Sequence, residues 1–220
     1  MRILALADIH GARIVPTLIA NFIKTEAIDC IIINGDITNF GPLSVAEEIL
    51  KEITKNGILT LALPGNCDPR TILNVLKNSS AFNLHGKSKI VNDIAFIGLG
   101  GSNLTPFNTP FELTEEEIEI TLKRALSEVK RIPKKVLITH APPKNTRADI
   151  TSLGLHVGSE IIRRIIEDTQ PLISICAHVH EARTLDRVCN TLIINPGPIS
   201  RKQAALIQIE NKIDAKLIEL

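Results

Sequence analysis

Ile173-Ser174-Ile175-Cys176-Ala177-His178-Val179-His180 is an apolar run, short enough for a buried strand, that ends in two histidines spaced i, i+2. In an extended backbone, residues two apart point to the same side. The two imidazoles are therefore expected to converge on one point just past a strand end, which is how a sheet presents ligands to a metal. Two surface histidines after a strand would read the same way, so the pair by itself does not decide. Four other apolar runs do, because each also ends in polar, metal-capable residues.

The run over residues 3–7 ends in Asp8-Ile9-His10, and the run over 30–33 ends in Asn34-Gly35-Asp36. The run over 58–63 ends in Pro64-Gly65-Asn66-Cys67-Asp68, and that over 136–138 ends in Thr139-His140. Continuous apolar runs of this length are expected of central strands covered on both faces. Helical patterns lie between them. Ile14, Leu18, Ile19, Phe22 and Ile23 follow helical spacing, with Pro16 tolerable only in the first turn. Ser44-Val45-Ala46-Glu47 reads as a capping box that opens a helix closed by Asn56-Gly57, and Thr114-Glu115-Glu116-Glu117 as a second. Gly158-Ser159 opens a helix whose Ile161, Ile162, Ile165 and Ile166 form one stripe. Asp68 followed by Pro69 reads as an N-cap and first-turn pair, so Asp68 is left out of the ligand set.

Residues 78–86 read as irregular, and Asn92-Asp93 as the turn of a hairpin. Gly98-Leu99-Gly100-Gly101-Ser102 lacks both the dinucleotide and the P-loop spacing and reads as a tight turn. The segments 192–194, 204–209 and 213–218 are strand-like and read as a closing β-meander. The order, β-α-β-α-β-α, hairpin, α-β-α-β, then strands, predicts an α/β fold with a large mixed sheet system. In open α/β sheets, ligands bind outside the carboxyl ends of the strands, where all five polar clusters fall.

Composition narrows the function. No linker, charge block or composition shift divides the 220 residues, so one domain over 1–220 is expected. The balance of 25 Lys+Arg against 24 Asp+Glu makes long nucleic acid an improbable partner, since phosphate neutralisation needs a basic face. Six Phe, no Trp and no Tyr supply no stacking platform for single strands. The four cysteines show neither zinc-knuckle spacing nor a disulfide framework. No run is long enough to span a membrane and no signal peptide precedes Asp8, so the expected location is the cytoplasm.

Pooling the strand ends gives Asp8, His10, Asp36, Asn66, His140, His178 and His180, a set of oxygen and imidazole donors without a thiolate. Seven donors exceed the four of a structural zinc site. They suit two metals sharing one bridging carboxylate, which can clamp a phosphoryl oxygen and bring a bound water to a pKa of about 7. The mixture suits Mn, Fe, Zn, Co or Ni better than Mg or Ca, and Mn is the first choice.

This set resembles the calcineurin-like metallophosphoesterase superfamily, whose motifs run Asp-x-His, Gly-Asp, Gly-Asn-His-Asp/Glu, His and Gly-His-x-His. Here they read Asp8-Ile9-His10, Gly35-Asp36, Gly65-Asn66-Cys67-Asp68, His140 and Ala177-His178-Val179-His180, in order over nearly the whole chain. The size is similar to that of the small microbial phosphodiesterase-like members. The resemblance implies a four-layer αββα sandwich of two mixed sheets flanked by helices. It implies Asp36 as the bridge, with Asp8, His10 and His180 on one metal and Asn66, His140 and His178 on the other.

Two positions depart from the pattern. Ala177 replaces a glycine. Cys67 replaces the histidine that, in the family's larger phosphatases, contacts the phosphoryl group and helps the leaving group. Two histidines remain outside the ligand set, His85 and His156. His156 ends the long loop after His140 and is the better placed to take over part of that acid role. The expected activity is hydrolysis of a small phosphate ester, a diester before a monoester, by metal-bound hydroxide. Asp36, Asn66, His140 and His156 are the expected catalytic residues. A non-catalytic scaffold of the same fold and a metal-dependent nuclease are the alternatives, and homo-oligomerisation is left open. Loops 100–111 and 141–156 are too long to be mere connectors and are expected to flank the metals and set substrate choice.

Overall fold

The computed structural model describes residues 1–220. The chain begins β1 (Arg2–Ala7), α1 (Val15–Phe22), β2 (Cys30–Asn34), α2 (Leu43–Thr54), β3 (Leu59–Leu63) and α3 (Ile72–Asn78). It continues β4 (Phe82–Asn83), β5 (Lys87–Val91), β6 (Ile94–Leu99), β7 (Ser102–Asn103), β8 (Glu112–Leu113), α4 (Glu115–Glu128) and β9 (Lys134–Thr139). It closes with α5 (Glu160–Thr169), β10 (Ile173–Ile175), β11 (Thr184–Val188), β12 (Thr191–Asn195), β13 (Gln203–Ile209) and β14 (Ile213–Glu219).

The strands form two six-stranded sheets, ordered β14-β13-β1-β2-β3-β4 and β11-β12-β10-β9-β6-β5. The apolar runs pair in parallel within each, Ile3 beside Cys30 and Ile31 beside Thr60 in the first sheet, Ile173 beside Val136 in the second. Antiparallel strands flank them. Side chains of a strand alternate between faces. In β1, Ile3 and Ala5 join Phe96, Val136, Ile138 and Ile175 in the layer between the sheets. Leu4 and Leu6 instead join Ile19, Ile49 and Ile72 under α1, α2 and α3. On the far side, Ile97, Leu137 and Ile193 pack beneath α4 and α5. Three buried apolar interfaces make four layers, αββα, and explain why the central strands read as unbroken apolar runs.

The helices follow their signals unevenly. Thr114 forms the expected capping box with Glu117, and Ser159 accepts from Ile162 N at 3.1 Å. The stripe Ile161, Ile162, Ile165 and Ile166 is buried, which contributes roughly 1.5–3 kcal/mol for each side chain. The Ser44–Glu47 capping box does not form. Pro42 already turns the chain in at ψ 157°, the helix starts at Leu43, and Ser44 falls inside its first turn.

Other expectations are corrected too. Asp68 caps nothing, since α3 starts at Ile72 after Thr71. Residues 78–86 are not wholly irregular, because Phe82 pairs with Leu61 on the sheet edge. The tail is not a meander. β11, which gave no apolar signal, forms a hairpin with β12 in the second sheet, and the chain then crosses at Pro196-Gly197-Pro198 to pair β13 and β14 in the first.

Candidate metal centre

The five strand ends meet at one end of the sandwich. Asp8 and His10 follow β1, Asp36 follows β2 and Asn66 follows β3, all from the first sheet, while His140 follows β9 and His178 and His180 follow β10 in the second. The backbone here is not extended, as the i, i+2 reading assumed. It is left-handed at Asp8 (φ 54°), His10 (48°), Asp36 (46°) and His178 (70°), a conformation that costs roughly 1–2 kcal/mol for a residue with a Cβ. His178 and His180 consequently point at different partners instead of lying side by side.

Hydrogen bonds between the loops hold this geometry. His10 N donates to Asp36 O at 2.7 Å, Gly11 N to Ile37 O at 2.9 Å and Ala177 N to His140 O at 2.9 Å. Two glycines permit the approach. A Cβ on Gly35 would lie 2.2 Å from His140 Nδ1, and one on Gly65 would lie 2.0 Å from Asp36 Oδ1. Asp68, fully buried, accepts from Ile37 N, Thr38 N, Thr38 Oγ1 and Gly65 N at 2.7–3.0 Å. It braces the Asp36 loop against the Asn66 loop.

Asp36 lies between two groups of donors. Its Oδ2 is 3.6 Å from His10 Nε2 and its Oδ1 is 3.6 Å from His140 Nε2, while Cys67 N donates to Oδ1 at 2.8 Å. On one side, His180 Nε2 lies 3.1 Å from His10 Nε2 and 3.7 Å from Asp8 Oδ1. On the other, Asn66 Oδ1 lies 3.0 Å from His140 Nε2 and 2.7 Å from His178 Nδ1. Asp8 Oδ1 is also 4.0 Å from His140 Nε2. Asp8, His10 and His180 thus form one group with metal-ligand spacing, and Asp8, Asp36 and His140 another that overlaps it.

The charge distribution favours a cation here. Both carboxylate oxygens of Asp8 are buried and accept no hydrogen bond. An ionised carboxylate in that state carries a desolvation penalty of several kcal/mol unless a cation offsets it. Burial works against ionisation of Asp36, yet the His140 and His10 rings and the Cys67 N–H hold its pKa well below the usual carboxylate range. Burial also works against protonation of His140, but the Asp36 and Asp8 charges outweigh it and lift the ring to about 9. The Asp8 carboxylate raises His180, whereas burial lowers His10 and takes His178 down to about 4. Burial and the Asp36 charge raise the Cys67 thiol, so it stays protonated at neutral pH. The donor set, two Asp/His groups that share Asp8, with Asp36 between the His10 and His140 rings, fits a dinuclear metal site.

All seven expected donors are brought together. Cys67, set aside in the sequence as a substitution, stands with its sulfur in ligand spacing to His10 and Asp36. His156 is not among the clustered donors. It sits on the rim, its Nδ1 2.7 Å from an Asp149 oxygen, and the carboxylate is fully buried. Loop 100–111 touches one of the donors, and loop 141–156 reaches the residue after His180. Thr109 Oγ1 accepts from Asn66 Nδ2 at 3.1 Å, and Ser152 N donates to Glu181, the neighbour of His180, at 3.0 Å. Three supporting residues went unread in the sequence. Asn34 receives His140 Nδ1 on its carbonyl oxygen at 2.9 Å, Thr109 orients Asn66, and Asp149 holds His156. Only Asn34, on the last position of a strand before Gly35-Asp36, carried any signal.

Overlapping Asp/His groups at the carboxyl ends of two stacked sheets are what a metal-dependent phosphoesterase requires. The chain belongs to the calcineurin-like phosphoesterase family, whose model matches residues 1–182. It is 42% identical over 204 residues to the uncharacterized protein MJ1162 of Methanocaldococcus jannaschii, covering 91% of this chain and 89% of that one. Among solved structures it shares its fold with TT1561 of Thermus thermophilus, at 18% identity and a TM-score of 0.77 over 98% of this chain and 97% of that one. It shares it also with a novel archaeal phosphodiesterase, at 17% identity and a TM-score of 0.58 over 100% of both chains. No helix is long and apolar enough to cross a membrane.

Proposed function

We propose that this chain, as one domain, is a dinuclear phosphodiesterase for a small phosphate diester. Asp36 would serve both positions, Asp8, His10 and His180 would hold one ion, and Asn66, His140 and His178 would hold the other. The observation that carries the reading is the Asp8 carboxylate, buried with both oxygens unpartnered among imidazole nitrogens. Oxygen and nitrogen donors favour Mn, Fe, Zn, Co or Ni, with Mn first. Such ions, when bound, supply Lewis acidity toward phosphoryl oxygens and acidify a water.

The chain's own residues prepare that chemistry. Asn34 O accepts the His140 Nδ1 proton, so Nε2 is the nitrogen that would give up its proton and turn to a cation at the centre. The Asn66 amide donates to Thr109, which turns its oxygen toward His140 and His178. His156, its Nδ1 held by Asp149, is the residue assigned to deliver a proton to the leaving oxygen. The diester preference has two supports. The archaeal phosphodiesterase shares the fold, and loops 37–42 and 100–111 hold no Lys or Arg to balance the second charge of a monoester.

Metal analysis after loading with Mn, with turnover of bis(p-nitrophenyl) phosphate and p-nitrophenyl phosphate, tests the reading. Two ions per chain and faster diester hydrolysis are expected. A single ion removes the dinuclear assignment, and a faster monoester removes the diester preference.

A further inference from the structure

Eight large apolar side chains are exposed, and six of them sit on loops beyond the donor-bearing end of the sheets. They are Ile14, Phe40, Leu104, Phe107, Leu153 and Leu155, with Phe107 80% and Leu153 83% exposed. Of the six phenylalanines in the chain, Phe40 and Phe107 are the two that are exposed.

These loops are tied to the donors and to one another. Phe40 N donates to Cys67 O at 3.0 Å, Phe111 N to Asn66 O at 3.1 Å, and Asn103 Nδ2 to Val157 O at 3.0 Å. The loop bearing Phe107 is also stiff. Glu112 accepts from Thr105 N, Thr105 Oγ1, Thr109 N and Thr109 Oγ1 at 2.5–3.1 Å. Six exposed apolar side chains gathered on the loops at one end of the molecule point to a binding surface, as single scattered ones would not. The segments 37–42, 100–111 and 150–158 contain no Asp, Glu, Lys or Arg. Arg201, whose charge acts on His180, and Lys144 and Arg147 of loop 141–156 lie outside these segments; the segments themselves offer little to a polyanion and much to a neutral apolar group.

We infer that the substrate of this site, granted the phosphodiesterase reading above, is a phosphodiester whose non-reacting arm is a long alkyl chain or a large aryl group, packed against Phe107, Leu153 and their neighbours. The single charge of the diester lies over the donor cluster, and the arm covers the uncharged rim. A free amphiphile and a bilayer lipid share this chemistry.

The test is a series of methyl, butyl and octyl p-nitrophenyl phosphates with the Mn-loaded protein, below the micellar concentration. Water adds to phosphorus and p-nitrophenolate leaves in each, so only the arm varies. We expect kcat/KM to rise at least about tenfold from methyl to octyl, given the free energy of burying several methylenes. In Phe107→Ser/Leu153→Ser the octyl-to-methyl ratio should fall to within about twofold of unity. A gain with monomeric ester assigns a free amphiphile, and a gain only in phosphatidylcholine vesicles assigns a bilayer lipid. A wild-type series that is flat both in solution and in vesicles, with the methyl ester still hydrolysed, overturns the apolar arm and leaves the phosphodiesterase reading standing. If no ester is hydrolysed, that reading fails, and calorimetry of methyl- against octylphosphonate decides the arm. Tighter octyl binding that the double variant abolishes supports it, and equal binding overturns it. A wild-type dimer that the double variant makes monomeric shows a second copy on the rim and also overturns it.

Discussion

The two halves of the donor cluster differ in what holds them. In the half made by Asp8, His10 and His180, the His10 and His180 side chains are 20% and 30% exposed, and no protein group partners either Nδ1. In the half made by Asn66, His140 and His178, His140 is fully buried and its Nδ1 is fixed by Asn34, and Asn66 is fixed by Thr109. Outer partners of this kind are worth 10–100-fold in metal affinity. One half is therefore a preformed socket and the other a mouth open to water, and in the proposed centre the mouth is where an ion exchanges and a substrate enters. Cys67 stands on the open side, beside His10 and Asp36.

The largest expected effect abolishes the distinction. Asp36→Ala removes the carboxylate common to both halves and should lower kcat/KM by at least about 10³-fold, the scale of losing a main electrostatic element. It should lose at least one ion by elemental analysis. Two retained ions with full turnover would show that Asp36 is not the bridge.

His140→Ala against His180→Ala tests the asymmetry directly. The first should lose the tighter ion and, by leaving Asp36 buried without its partner, destabilise the metal-free fold by about 3–5 kcal/mol. The second should lose only the weaker ion and shift Tm little. Equal losses in titrations and melting curves would make the halves equivalent.

The open side can be sharpened with leaving groups. A neutral thiol is a poor proton donor, so hydrolysis should depend steeply on leaving-group basicity, and Cys67→His should flatten that dependence. His156→Ala should cost about 10²-fold on alkyl diesters, the low end for general acid catalysis, and little on nitrophenyl ones. Equal scaling of every substrate would remove His156 from proton delivery.

The smallest effect uses a histidine outside the cluster as the control. Burial, with Arg70, Arg124 and Lys87 nearby, pushes His85 down to about 4, and its Nδ1 accepts Gly100 N, which only the neutral ring can do. Its folded pKa lies below the unfolded value of 6.5. Its stabilisation is therefore complete above that pH and is lost as pH falls toward 4. His85→Asn should lessen the drop in Tm between pH 7 and 4 without changing metal content. An unchanged slope would exclude His85 as a source of acid sensitivity.

The strand ends were legible because a buried strand is an apolar run and a polar residue at its end has few structural excuses. That logic picked seven residues that the fold brings together and failed on their backbone. The left-handed φ at Asp8, His10, Asp36 and His178 is imposed by neighbouring loops from distant sequence, which a local reading of i, i+2 spacing does not contain. Asp68 was misread for the same reason. Asp-Pro is a local capping signal, but its carboxylate is taken by Ile37, Thr38 and Gly65. β11 was invisible because Asp186 and Arg187 interrupt its pattern, and it forms by pairing with β12. Thr109 and Asp149 act through single contacts across loops, and nothing in their own neighbourhoods marks them.

The donors are also divided between the two sheets, four from the first and three from the second. Away from this end the layer between the sheets is a large apolar cluster, and dispersion forces have no fixed point. An ion drawing its ligands from both sheets would act as a rivet through the seam. A chelator would then do more than stop turnover. It would let this end of the sandwich breathe, and amide hydrogens at the carboxyl ends of β1, β2, β9 and β10 would exchange faster while those at the opposite end kept their protection.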